Sequence, residues 1–235
     1  MDWAWVSVIV LLVAAVFSVR LALILPFCRR PTDEDETILG GVQSGKGAAK
    51  RRPLQLFVFL GSGGHTGEML RLLDTYHEYL LDSRNTVHIG YSDLQSKQKF
   101  LKLADKYKCK NRLYEFKKAR EVNSSALQSV KTVLTTLITS LSHVVQIKKA
   151  MMSKPHLVLL NGPGTCCIIT LLFKLLDLLL LFTSSHIVYV ESLARIQTLS
   201  LTGKILYFLA DEFVVQWEEL KLTKAPRAKY FGILV

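Results

Sequence analysis

Cysteine is scarce in this sequence of 235 residues, and the few cysteines present have no informative spacing. The four of them form no CxxC pair and no metal-type pattern, which excludes a disulfide framework and the common zinc modules. This usage is typical of a reduced compartment. We therefore expect no metal site and no cofactor.

Acidic residues are also few, since 19 Asp and Glu stand against 30 Lys and Arg, giving a net charge of +11. Such a balance favours contact with anionic lipid headgroups or with a phosphorylated substrate. The sequence lacks a basic stripe with interleaved aromatic residues, a zinc finger, a helix-turn-helix and a ribonucleoprotein motif. We therefore expect no nucleic-acid partner.

A cleaved signal peptide requires a positive charge before its apolar run, but no lysine or arginine precedes the apolar run at residues 3–25. The run is broken only by Arg20 and two serines, and it is long enough for a membrane span of roughly 20 residues. Positive charges follow it, which predicts that the rest of the chain is cytosolic. We therefore predict that residues 1–30 are a single-pass anchor with a lumenal N-terminus.

Hydrophobic periodicity is missing from residues 31–53, which combine an acidic cluster, four glycines and a basic cluster. This composition predicts a flexible charged linker. The domain proper then covers residues 54–235.

From residue 54 onward, β-type runs alternate with helical patterns, which predicts a Rossmann-like α/β fold with a parallel sheet and helices on both faces. The apolar run at residues 168–182 is short for a second span and contains Lys174 and Asp177, so we predict a crossover helix there. Whether one face of it touches the bilayer stays open. The predicted strands are residues 56–60, 86–91, 113–116, 156–160, 186–190 and 212–216.

A glycine-rich loop directly follows the first predicted strand and opens a helix, which is how α/β proteins build an anion site from backbone N–H groups. The imidazole of His65, at the helix start, is a candidate base or hydrogen-bond donor beside a phosphate. The alternative is that His65 only caps the helix, and Glu68 is explained by the helix dipole alone. The phosphate-binding residues predicted in this loop are Gly61, Ser62, Gly63, Gly64 and Thr66.

Two further loops follow later strands and should reach the same edge of the sheet. The second is a rigid glycine loop, in which Thr165 alternatively caps a helix. Glu191 ends the next strand and either contacts the ligand or pairs with Arg195. The further candidate ligand-binding residues are Asn161, Gly162, Gly164, Thr165 and Arg120, the last of which is alternatively a solvated surface charge.

A dinucleotide-binding enzyme is a weaker alternative. The fingerprint would need a third glycine at Thr66, and the second strand ends in Tyr91-Ser92-Asp93 rather than with an acidic residue at the expected distance.

Several motifs in this order resemble one family, the membrane-anchoring subunit of the endoplasmic reticulum N-acetylglucosaminyltransferase that adds the second sugar in dolichol-linked oligosaccharide synthesis. The resemblance covers residues 54–235 and also fits the N-terminal anchor. The motifs are Gly61-Ser62-Gly63-Gly64-His65-Thr66, Asn161-Gly162-Pro163-Gly164-Thr165-Cys166, Tyr189-Val190-Glu191-Ser192, Thr198-Leu199-Ser200, Thr202-Gly203-Lys204, Gln216-Trp217 and Tyr230-Phe231-Gly232-Ile233-Leu234-Val235.

The resemblance implies one half of a GT-B-type glycosyltransferase, similar to the acceptor half of the bacterial enzyme that forms lipid II. It implies a site for N-acetylglucosaminyl-diphospho-dolichol, with His65 and Glu191 as catalytic residues. A separate small soluble subunit would bind the UDP-sugar, so we expect no activity from this chain alone. A membrane scaffold with a vestigial site is the alternative. The resemblance places partner binding at Tyr230, Phe231, Gly232, Ile233, Leu234 and Val235.

Overall fold

The structure is a computed structural model that describes residues 3–26, 53–117, 126–179 and 183–235. Arg120, Cys28 and nearly all of the predicted linker lie outside these ranges. The chain divides into two units, Met1–Arg52 and Pro53–Val235.

The first unit contributes one long helix, α1 (Trp3–Ile24), whose apolar side chains are almost all exposed. Within the described residues, the segment Trp5–Ile24 is the one stretch long and apolar enough to cross a membrane. Exposed apolar side chains along such a length suit a lipid hydrocarbon core better than water. Helix α1 is therefore a candidate membrane span, as the sequence predicts.

The second unit is built on a seven-stranded sheet in the order β3-β2-β1-β4-β5-β6-β7, and every neighbouring pair is parallel. The strands are β1 (Gln55–Leu60), β2 (Thr86–Tyr91), β3 (Lys110–Glu115), β4 (His156–Asn161), β5 (His186–Val190), β6 (Glu212–Val215) and β7 (Lys229–Tyr230). The helices are α2 (Gly64–Thr75), α3 (His77–Leu80), α4 (Leu94–Tyr107), α5 (Ala126–Met151), α6 (Thr165–Leu178), α7 (Leu201–Leu206) and α8 (Glu218–Thr223).

The predicted α/β class and all six predicted strands are confirmed, with differences at some ends. Strand β3 begins at Lys110 rather than at residue 113. The sequence pattern missed its first three residues because they are polar, and two of them are exposed on this edge strand. The short elements α8 and β7 were not predicted, since six and two residues are too few to show a period.

Two layers of helices cover the sheet and create a core on each face. All six residues of β1 are buried, and their side chains alternate between the faces. Phe57 and Phe59 pack in the cluster that includes α5 and α6, while Leu56 and Val58 pack in the cluster that includes α2 and α4. Burial on both faces explains why β1 reads as a continuous apolar run.

Two buried ion pairs lie beside the amino ends of β4, β5 and β6. Lys148 of α5 contacts Asp177 of α6 and also donates to Ser185 Oγ at 2.8 Å. Lys174 of α6 donates to both carboxylate oxygens of Asp211 at 2.8 Å. Helix α6 therefore carries its two charges inside the domain, which confirms that it is a crossover helix between β4 and β5.

The strand order reverses between β1 and β4, because β1 leads outward to β2 whereas β4 leads to β5 on the other side. In open parallel sheets, ligands bind in the crevice that such a switch point opens at the carboxyl ends of the strands. The two glycine loops of the sequence follow β1 and β4, and so they flank this crevice.

Candidate functional site

The two glycine loops pack directly against each other at the switch point. A Cβ on Gly61 would lie 2.7 Å from Cγ and Cδ of Pro163, and a Cβ on Gly162 would overlap the His65 ring. Gly162 also has a φ of +95°, a backbone conformation that favours glycine. Both glycines are therefore required by the close approach of the loops.

The helices that follow these loops begin without a side-chain cap. Gly63, with φ 62°, precedes α2, and Gly164 precedes α6, and neither can supply a side-chain acceptor. By contrast, Asp93 caps α4 and Ser200 caps α7 through their side chains. In the first turn of α6, the N–H groups of Cys166 and Cys167 donate to the carbonyls of Pro163 and Gly164 at 2.9 and 3.0 Å. The N-terminus of α2 is therefore the better candidate for binding an anion, and its helix dipole adds to the attraction.

Ser62, Gly63, Gly64 and Gly164 form the outer surface of the two glycine loops. All four are exposed, so their backbone groups are open to a ligand. The other predicted residues of the two loops turn inward: Gly61, Thr66, Asn161, Gly162 and Thr165 are buried.

Thr66 supports the first loop from beneath. Its hydroxyl donates to the Gly61 carbonyl at 2.7 Å and lies 2.7 Å from the Ser96 hydroxyl. Ser96 belongs to α4 and was not predicted as part of the site. Its N–H donates to the side chain of Asp93, which caps α4, and this capping pattern is visible in the sequence. Thr66 is 1% exposed, so this position favours loop support over ligand contact. Thr165 is likewise buried, and it does not cap its helix.

His65 is the second residue of α2 and is half-buried against Gly162. Its Nδ1 is buried and makes no hydrogen bond within the described part of the chain, so the capping alternative is not observed. Asn161 Oδ1, in the neighbouring loop, is buried and unpartnered in the same way. Because buried polar atoms without partners are rare, two of them in adjacent loops are typical of a site that a ligand completes.

Glu68 lies on α2 and connects three elements. Its Oε1 accepts a hydrogen bond from Ser192 Oγ at 2.7 Å, and its Oε2 accepts one from Asn161 Nδ2 at 3.0 Å. The sequence offered only the helix dipole for this carboxylate, because both partners are distant along the chain. Glu68 therefore joins the loops after β4 and β5 to the helix that opens at the first glycine loop.

Glu191 is 1% exposed and is held inside its own loop. Its carboxylate accepts from the Ser192 N–H at 3.1 Å, and from the N–H and hydroxyl of Ser200 at 3.2 and 3.1 Å. Gly203 leaves the space, since a Cβ there would overlap the carboxylate. These contacts replace the expected pair with Arg195. A catalytic role for Glu191 stays a prediction, and this geometry favours a supporting role.

The thiols of Cys166 and Cys167 lie at the start of α6. Burial raises the pKa of both, and that of Cys167 reaches about 11. Both are therefore neutral at physiological pH and act as small apolar residues rather than nucleophiles.

The C-terminal segment crosses the same end of the sheet. Leu234 N–H donates to Gln216 Oε1 at 3.2 Å, and Gln216 Nε2 donates to the Glu191 carbonyl at 3.0 Å. Leu234 and Val235 pack against the core cluster of α2 and α4. Phe231 and Ile233 point outward and are 50% and 57% exposed. The other residues of the segment, Tyr230 and Gly232, are half-buried.

Comparison with known proteins identifies the family. A family described as "Oligosaccharide biosynthesis protein Alg14 like" matches residues 56–234. The UDP-N-acetylglucosamine transferase subunit ALG14 of Saccharomyces cerevisiae is 53% identical over all of both chains. The mouse protein of the same name is 39% identical over 79% of this chain and 85% of its own. The solved structure of Acinetobacter baumannii MurG superposes with a TM-score of 0.46 at 12% identity, over 69% of this chain and 41% of that one, which is too slight a likeness to support an argument. On the family match and these identities, this chain belongs to the Alg14 family of oligosaccharide biosynthesis proteins.

Proposed function

We propose that this chain is the membrane-anchored, acceptor-binding subunit of a UDP-N-acetylglucosamine transferase that extends N-acetylglucosaminyl-diphospho-dolichol by a second N-acetylglucosamine. Its relatives in the Alg14 family carry the name of such a transferase subunit. The observation that carries the proposal is the N-terminus of α2 at the switch point, which follows an exposed glycine loop and has no side-chain cap, because its backbone N–H groups suit a phosphate. A nicotinamide enzyme, the weaker alternative, receives no support from the family.

In this proposal the diphosphate lies on the N–H groups of the first glycine loop, beside the second loop, and the first sugar extends toward His65. The Nδ1 atom of His65 makes no hydrogen bond within the described residues, so no other group of the chain competes for it. The proton that Nδ1 accepts comes from the acceptor hydroxyl as it attacks the donor sugar. His65 thus acts as the general base.

Two properties of the chain support a site of action at a membrane. The candidate span α1 would tether the domain close to a lipid-linked substrate, which raises the effective concentration of that substrate. The net charge of +11 favours an anionic surface. We place the domain on the cytosolic side of the endoplasmic reticulum membrane, where the positive charges that follow α1 would remain.

A separate, soluble donor-binding subunit completes the cleft, and the C-terminal segment is its docking site. Phe231 and Ile233 provide exposed apolar side chains on a segment that is itself fixed to the sheet. Once a partner covers them, apolar side chains of this kind carry much of the free energy of an interface. Glycosyl transfer needs both substrates in place, so neither subunit is active alone.

The experiment is co-expression of the full chain with the donor-binding subunit and assay of sugar transfer from UDP-N-acetylglucosamine to the lipid diphosphate. We expect His65→Gln to lower kcat by about 100-fold or more while the partner still co-purifies, since a general base contributes that much. His186→Gln is the matched control, because His186 is exposed at the opposite end of the sheet. Full activity of His65→Gln would favour the scaffold alternative, and transfer by this chain alone would refute the two-subunit proposal.

Docking is tested separately with Phe231→Ser and Ile233→Ser together. These changes leave the Leu234 hydrogen bond and the packing of Val235 in place, which deletion of the segment would not. We expect the partner to dissociate from the membrane fraction while this chain stays there. Leu222→Ser is the control, since Leu222 is 73% exposed outside the segment. Retention of the partner would show that the docking site lies elsewhere.

A further inference from the structure

Glu68 has no role in the proposed function, yet its carboxylate lies where the loops after β4 and β5 meet α2. Each of its oxygens is bonded to a different loop, Oε1 to Ser192 and Oε2 to Asn161. It is half-buried and three residues beyond His65, so the two side chains lie on the same face of α2. It is thus placed to set the geometry of the site.

The orientation of Asn161 follows from this contact. Its Nδ2 donates to Glu68 Oε2 at 3.0 Å and to the Val190 carbonyl at 3.1 Å, which uses both amide hydrogens. With the amide flipped, its oxygen would face the Glu68 carboxylate and the Val190 carbonyl, which are both acceptors, and both hydrogen bonds would be lost. The Oδ1 atom is therefore fixed on the other side, where it is buried and has no partner within the described residues.

Resting on the proposed function, we infer that Glu68 is the positioning residue of the acceptor site, holding Asn161 so that Oδ1 accepts a hydrogen bond from a hydroxyl or the amide N–H of the acceptor N-acetylhexosamine. A buried carbonyl without a partner is costly, and a donor on the ligand removes that cost. This bond would also discriminate against an acceptor that lacks the donor group, because Oδ1 would then stay unpaired.

Glu191 cannot take this role. Its carboxylate is occupied by Ser192 and Ser200 of its own loop, and it is almost completely buried. Glu68 instead bonds across loops and remains partly open.

The substitutions Glu68→Ala and Glu68→Gln separate positioning from proton transfer. A glutamine keeps the bridge. Its Oε1 accepts a hydrogen bond from Asn161 Nδ2, and its Nε2 donates one to Ser192 Oγ, so that the serine hydroxyl becomes the acceptor in that bond. An alanine removes both bonds. If Glu68 positions Asn161, glutamine restores function; if its charge takes part in the chemistry, both variants fail.

The test uses the full chain with its donor-binding partner in lipid nanodiscs, and it measures KM for acceptor and donor separately. We expect Glu68→Ala to raise the acceptor KM about tenfold with the donor KM unchanged, and Glu68→Gln to stay within about threefold of wild type. Glu78→Gln, an exposed carboxylate on α3, is the matched control and should equal wild type. Equal damage from alanine and glutamine, or an equal rise in both KM values, would overturn the inference.

Hydrogen exchange gives a second readout that does not depend on the reaction. We expect the amides of residues 161–165 and 191–200 to exchange faster in Glu68→Ala than in wild type, and to return to the wild-type rate in Glu68→Gln. Unchanged exchange in Glu68→Ala would refute the bridge. Absence of sugar transfer by the wild-type complex would refute the proposed function instead, and the exchange rates would still decide the role of Glu68.

Discussion

The two ends of the sheet differ in how some of their buried polar groups are paired. At the amino ends of the strands, Lys148 contacts Asp177 and Lys174 contacts Asp211, so that each buried charge has a counter-charge. At the carboxyl ends, His65 Nδ1 and Asn161 Oδ1 are buried without partners in the described chain. The first arrangement pairs its charges within the chain, whereas the second leaves two polar atoms that the proposed ligand would pair.

The difference indicates that the two ends of the sheet have different roles. Crossover helix α6 takes part at both ends, since Gly164 leaves its N-terminus uncapped and Asp177 ends it in a buried ion pair. Substitutions at the amino ends should therefore affect stability, and substitutions at the carboxyl ends should affect binding and catalysis. Three predictions test this comparison.

The largest effect is expected at the amino ends, from Lys148→Met. It leaves Asp177 buried without its counter-charge, which should lower the free energy of unfolding by about 3–5 kcal/mol. Chemical denaturation of the full chain in detergent, followed by tryptophan fluorescence, measures this. Arg84→Met breaks the exposed pair with Asp82 and should cost about 0.5 kcal/mol or less. Equal effects would contradict the comparison, as would failure of Asp177→Asn to recover part of the loss in Lys148→Met, because asparagine removes the buried charge but keeps an oxygen for the Ser185 N–H.

Acid should weaken the fold through His88, which lies in the sheet between Tyr114 and Gln55. Burial, together with nearby Arg112 and Lys154, lowers its pKa from 6.5 to about 4. Because the folded-state pKa is depressed, the contribution of His88 to stability is present above pH 6.5 and is lost as the pH falls toward 4. The loss should approach 1.4 kcal/mol per pH unit in that window.

Denaturation between pH 7.5 and pH 5 checks this slope. His88→Gln should remove it, and His186→Gln, at an exposed histidine, should keep it. A slope that survives His88→Gln would assign the acid sensitivity to another group.

The smallest effect on stability is expected at the carboxyl ends, from Gly162→Ala. The positive φ and the overlap with His65 should cost about 1–3 kcal/mol. The displaced imidazole should also lower sugar transfer, which the co-expression assay measures. Gly67→Ala is the control, because it lies in α2 with open space around its Cβ position, and alanine there should be neutral or stabilising by up to about 1 kcal/mol. If both variants behaved alike, the close packing of the loops would not matter.

Local sequence patterns made much of the fold and the position of the first glycine loop predictable. The strand at residues 56–60 and its glycine loop are contiguous, so their order of residues alone indicates an anion site after a buried strand. The charges of Lys174 and Asp177 within an apolar run correctly predicted a crossover helix.

Contacts between distant residues could not be predicted in the same way. Glu191 was predicted as a ligand-binding carboxylate from its place at a strand end, but Ser200 and Gly203 of the following helix determine its environment, and its place at a strand end does not reveal those contacts. The bridge from Glu68 to Asn161 and Ser192 depends on which strands are neighbours, which the sequence pattern does not reveal.

The same bridge has a consequence for how the protein folds. Glu68 is 93 residues from Asn161 and 124 residues from Ser192 along the chain, whereas β1 and β2 are joined by a single crossover through α2 and α3. Contacts of large sequence separation form late, because the chain between them must first be ordered. During synthesis the contacts of Glu68 therefore form only after β4 and β5 have emerged and paired. A nascent chain that ends before Ser192 has the first glycine loop but not the contacts that join it to the other two loops.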